Sequence, residues 1–123
     1  MMCVRCHTSG CEVLSEATLY TTTPDMFTQD EWAAFDRTSR AALGRRFGGD
    51  CYSYGMLASG HIDAVIESNL MPYDYLAIAP VVEAAGGVMT DWEGRSLGLD
   101  SGGRVVAAAT PALHAAIIAS LKA

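Results

Sequence analysis

The chain has 123 residues, half of them apolar, with twelve glycines and a formal net charge of −6 at neutral pH. That length allows one domain with a real core, and the apolar fraction excludes a disordered or fibrous chain. The acidic balance argues against nucleic acid and anionic membrane as partners. No apolar run is long enough to cross a bilayer and the first residues lack a signal-peptide core, so the expected setting is cytoplasmic.

Residues 1–16 show no clean period and read as an irregular lead-in. Within them Cys3-Val4-Arg5-Cys6-His7 matches the C-x-x-C-H pattern of haem attachment, and Cys11 could complete a zinc-like cluster. No second ligand pair follows at a metal-finger spacing and no export signal precedes it. Ordinary reduced thiols are therefore expected.

Ala17 to Thr22 is β-branched and aromatic and reads as a strand, broken by Pro24-Asp25. Thr28 and Glu31 have the spacing of a capping box. Trp32, Phe35 and Leu43 then form an apolar stripe on a helix that Gly44 is expected to stop. Arg45-Arg46-Phe47 leads into Gly48-Gly49-Asp50, where backbone N–H groups can face an anion or a polar ligand, followed by a small-residue helix from Cys51 to Ser59. Ile62 to Ile66 reads as a buried strand with Glu67 at its end.

Met71 to Gly87 reads as a helix opened by Pro72, with Asp74 in the first turn, apolar nearly all round, kinked at Pro80 and stopped by Gly86-Gly87. Val88 to Trp92 and Arg104 to Ala109 are strands, separated by a turn at Glu93-Gly94-Arg95 and a Gly/Ser-rich loop. Thr110-Pro111 opens a last helix, apolar enough either to cover the sheet or to meet another subunit in a homodimer. This order predicts a layered α/β/α sandwich with a largely parallel or mixed sheet.

The run PYDYLAIAPVVEAAGGVMTDWEGRSL resembles the second signature of the inositol monophosphatase family, magnesium-dependent phosphomonoesterases. The Pro-Tyr-Asp version, with Gly48-Gly49-Asp50 upstream, is most similar to the histidinol-phosphatase branch, which acts in histidine biosynthesis. The likeness runs from about Leu19 to Ala123 and implies that residues 17–123 form the C-terminal half of the family fold. The family's other metal-binding segments, an upstream Glu and an Asp-Pro-Ile-Asp-Gly-Thr type of motif, do not occur here. The chain is accordingly expected to be a fragment, inactive alone, because one carboxylate cannot hold two or three Mg2+ ions.

The resemblance implies Asp74 as a Mg2+ ligand and Gly48, Gly49, Asp50 and Glu67 as contacts to the leaving group of a small phosphorylated substrate. A carboxylate at Asp50 suits a cationic amino alcohol, which favours histidinol phosphate over a neutral polyol phosphate. Plainer readings stand beside these: Asp74 and Asp50 as helix caps, Glu67 as a solvated strand end, the glycines as turn formers. Glu83 is expected at the polar edge of its helix, Asp91 as a cap before Gly94, and His7, His61 and His114 as surface residues. An inositol or other sugar-phosphate phosphatase, and a catalytically inactive remnant, are the rival readings.

Overall fold

The computed structural model describes residues 5–123; Met1, Met2, Cys3 and Val4, and with them the first cysteine of the C-x-x-C-H run, lie outside the described residues. Five strands, β1 (Thr18–Thr21), β2 (Gly44–Phe47), β3 (Ala64–Glu67), β4 (Val88–Thr90) and β5 (Val105–Ala108), make one sheet in the order β2-β1-β3-β5-β4. The first three are mutually parallel, and β5 runs antiparallel to both β3 and β4. The sheet is therefore mixed, with the expected parallel character on one side only.

Alternation along the central strands divides the interior into two cores. Leu19, Ala64, Ile66, Val106 and Ala108 face Phe35 on α1 (Gln29–Ala41) and Leu113, Ile117 and Leu121 on α5 (Pro111–Lys122). Val65, Val105 and Ala107 face the other way, against Tyr54 and Leu57 of α2 (Tyr52–Ala58), Tyr75 of α3 (Pro72–Tyr75) and Val82 of α4 (Ala79–Ala84). A strand buried on both faces needs this period of two with no polar side. The apolar last helix covers the sheet and packs on α1. Among the described residues no helix is long and apolar enough to cross a membrane.

Thr28 and Glu31 form the expected capping box, Glu31 N–H donating to Thr28 Oγ1 at 3.2 Å and Thr28 N–H to Glu31 Oε1 at 2.8 Å. The apolar stripe differs at its end: Leu43 is 71% exposed, because α1 closes at Ala41 and Gly44 already begins β2. The single helix expected over 72–85 is two. Pro80 has no N–H, and in a continuous helix its ring would meet the carbonyl of Leu76. The chain therefore restarts, with Pro80 in the first turn of α4, where neither demand applies. Nor is this segment buried all round. Tyr75 and Val82 point inward, while Tyr73 and Val81 are exposed.

Residues 5–13 carry no helix or strand, yet they are held. Thr8 N–H donates to Ala85 O at 2.9 Å and Thr8 Oγ1 to Ala109 O at 2.8 Å. Ser9 donates to Asp63, whose second oxygen accepts Thr18 N–H at 2.8 Å, and Thr110 Oγ1 donates to Cys11 O at 2.7 Å. This strap crosses the sheet at the end where β1 and β3 begin.

Candidate functional site

Because β1, β2 and β3 are parallel, their C-terminal ends share one edge, and the loops leaving them converge there. Open α/β sheets form ligand sites at such an edge. A cavity of about 200 Å³ lies at it, lined by Thr22, Met26, Asp50, Cys51, Tyr54, Glu67, Leu70, Asp74 and Ile78. Asp50, Glu67 and Asp74, which the sequence marks separately, thus face one space. Among the described residues that line it, none is basic.

Glu67 is not a solvated strand end. It is 3% exposed, with Oε1 accepting the Tyr54 hydroxyl at 2.7 Å and Oε2 accepting the Thr22 hydroxyl, while Trp92 Nε1 donates to its carbonyl at 3.2 Å. Burial pushes its pKa up, the two hydroxyl donors oppose that, and the Asp50 carboxylate adds to it. Tyr54 is held well above the ordinary phenol range by burial and by the neighbouring Glu67 charge, so it remains a donor.

Asp50 is exposed and left-handed at φ 45°, a region that Asp tolerates better than most residues. The residue preceding α2 is Cys51, and no side chain caps that helix, so Asp50 is not its N-cap. Among the described residues its carboxylate has no hydrogen-bond partner. Gly49, also at positive φ, would carry a Cβ 2.5 Å from Ser53 Oγ, so a side chain there would displace that hydroxyl as well as strain the backbone. Gly48 donates its N–H to the carbonyls of Thr21 and Thr22, at 3.0 and 2.8 Å, so that N–H is not open to an anion. Neither glycine lines the cavity.

Asp74 lies at the third position of α3 rather than before its first. Its Oδ2 accepts Met71 N–H at 2.8 Å, a capping contact that leaves Oδ1 without a partner among the described residues. Hard divalent cations want six or more oxygen ligands. Among the described residues no three His, Cys, Asp or Glu side chains come together as a cation-holding group. The described residues therefore do not make a complete Mg2+ site by themselves.

Of the remaining marked residues, Asp91 caps its turn, accepting Glu93 and Arg95 N–H groups at 2.8 Å each. His114 is not a free surface histidine: Nε2 meets Thr90 Oγ1 at 2.7 Å, and burial lowers its pKa. Cys6 is exposed, Cys11 half-buried, and Cys51 lines the cavity. Sequence reasoning missed Tyr54 and Thr22. No spacing rule links either to Glu67; the only signal was two hydroxyl-bearing residues beside the apolar positions of a strand end and a helix.

The sequence profile of the inositol monophosphatase family matches residues 2–123. A curated relative, "Bifunctional phosphatase IMPL2, chloroplastic" from Arabidopsis thaliana, is 42% identical over 122 residues, covering 94% of this chain and 35% of its own length. The histidinol-phosphatase of Chlorobaculum parvum is 39% identical over 59 residues, 48% of this chain and 23% of that protein. An inositol monophosphatase structure from Zymomonas mobilis superposes with a TM-score of 0.93 at 39% identity, over 96% of this chain and 47% of that one. The chain thus matches less than half of the length of each of these relatives, whose family and fold are those of phosphatases. By its sequence and its fold, this chain belongs to the inositol monophosphatase family.

Proposed function

We propose that these residues form the leaving-group side of a metal-dependent phosphomonoesterase site whose substrate is the phosphate ester of a cationic amino alcohol, histidinol phosphate. One observation carries the reading. Asp50 is not spent as a helix cap, and it lines the same cavity as the buried Glu67, with no basic residue among the described residues of the lining. Two carboxylates around a small space favour an ammonium over a neutral hydroxyl, through charge-assisted hydrogen bonds. The partial likeness to a histidinol-phosphatase agrees with this, without deciding it.

Asp74 would supply one oxygen ligand to Mg2+, the others coming from outside this chain. Bound there, the ion would activate water and neutralise the phosphoryl oxygens. The chain's own residues bind and orient the alcohol: Glu67 and Asp50 hold its cationic end, and Leu70, Ile78 and Met26 supply the apolar walls. The 123-residue chain alone should then show no magnesium-dependent phosphatase activity above background.

The test is Asp50→Ala in the complete phosphatase carrying these residues, with kcat/KM measured for histidinol phosphate and for inositol monophosphate. Loss of a charge-assisted hydrogen bond costs about 1.5–3 kcal/mol, so the ratio of the two should fall about ten- to a hundredfold. An unmoved ratio would leave the family's polyol-phosphate reading in its place.

A further inference from the structure

We propose that Tyr54, together with Thr22, is a positioning residue for Glu67: their hydroxyls fix its carboxylate in one orientation, as an anion turned to the substrate's cationic group. The inference rests on the reading of the site given above and adds to it the device that makes Glu67 usable.

A buried carboxylate needs compensation, which a guanidinium or ammonium commonly supplies. Among the described residues Glu67 has no such partner. Its two oxygens are met instead by two hydroxyls, one from α2 and one from the residue after β1. A phenol beside a carboxylate can only donate, so this bond stabilises the charge without cancelling it. Each oxygen accepts one hydroxyl here, and a carboxylate oxygen can accept a further hydrogen bond from a ligand in the cavity. A lysine or arginine in the same place would have neutralised the group and made it useless for recognising a cation.

The geometry of Tyr54 separates this role from packing. Its ring belongs to the core between the sheet and α2, and a phenylalanine would fill that space as well. The hydroxyl has Glu67 as its hydrogen-bond partner. Thr22 does a second job, because its carbonyl accepts the N–H of Gly48, two residues before Asp50. Glu67 and the glycine loop are thereby tied through one residue, and the two carboxylates of the proposed substrate contact are held at a set separation.

The experiment is a double-mutant cycle in the complete phosphatase: Tyr54→Phe, Glu67→Gln and the pair, with kcat and KM for the preferred phosphate ester and melting curves for each protein. Tyr54→Phe should raise KM about tenfold and change kcat by less than about twofold. In the Glu67→Gln background the same change should alter KM by less than about twofold. Thr22→Val should repeat the pattern, and Thr22→Ser, which keeps the hydroxyl, should restore the KM. Equal effects of Tyr54→Phe in both backgrounds would overturn the proposal and leave Tyr54 a core residue. The cycle reads coupling for whichever ester is preferred, so it can succeed where the Asp50→Ala ratio fails, and the reverse.

Discussion

Gly103 offers the sharpest test of how rigidly the loop before Asp74 is held. It is buried, has φ +89°, and a Cβ there would stand 2.4 Å from Leu70 O and 2.8 Å from Leu70 N. Leu70 N–H also donates to Gly103 O at 3.1 Å, so the two backbones are bonded as well as in contact. Two neighbours on the same loop separate the contributions. Gly102 has φ +84° but open space around it, and Gly98 has neither the positive φ nor a neighbour within 4 Å. Replacing a glycine by alanine gains about 0.4–1 kcal/mol from the less free unfolded chain. Left-handed backbone costs about 1–2 kcal/mol, and forcing atoms into a packed space about 1–3 kcal/mol. Gly98→Ala should therefore be neutral or slightly stabilising, Gly102→Ala should cost about 1 kcal/mol, and Gly103→Ala about 2–4 kcal/mol. At about 3–5 °C per kcal/mol for a domain of this size, Gly103→Ala should lower Tm by about 10 °C. Urea and thermal unfolding of the three variants measure the series. If Gly103→Ala costs no more than Gly102→Ala, Leu70 can move aside and the loop is not pinned there.

Further expectations concern the site and the core. In the complete phosphatase Asp74→Asn should cut kcat by about two orders of magnitude or more with Tm unchanged, since Asn still accepts Met71 N–H but lacks the charge a cation needs; unchanged kcat would confine Asp74 to capping. Burial raises the pKa of Glu67, so its contribution to stability is present at low pH and lost as pH rises through that raised value. Unfolding free energies of Glu67→Gln relative to the parent should then shift in the variant's favour as pH rises above the ordinary carboxylate range; a flat difference would place the extra proton affinity elsewhere. Phe35 is fully buried and stacks on Phe27 with ring centroids 4.9 Å apart, so Phe35→Ala should cost about 3–5 kcal/mol in urea unfolding.

Much of this was legible in the residues because local rules governed it. The capping box at Thr28 and Glu31, the cap at Thr110 and the burial of β3 follow from local pattern alone. Asp50, Glu67 and Asp74 came from a motif, and the parallel strand ends explain why they meet. What was not legible is non-local. Nothing in Val105–Ala108 says that it runs against β3, and nothing near Glu67 announces that it is buried under Tyr54 and Thr22. The helix over 72–85 was misjudged for a different reason: a proline restarts a helix more cheaply than it bends one when a turn is available just ahead of it.

The strap at residues 8–11 has a consequence for the order in which the protein is made. Thr8 bonds to a carbonyl 101 residues further on, and Cys11 receives the hydroxyl of a residue 99 positions away. A ribosome adding about 5–20 residues per second needs on the order of ten seconds to travel that distance. Through that interval Thr8 has no Ala109 carbonyl to bond and Cys11 no Thr110 hydroxyl. Asp63, in contrast, can take Thr18 N–H as soon as β3 emerges. The parallel half of the sheet is thus free to assemble during synthesis, with Ser9 tied to Asp63 and Thr8 to Ala85 as those residues emerge, and the strap's two remaining bonds, to Ala109 and Thr110, close only after β5 has been made.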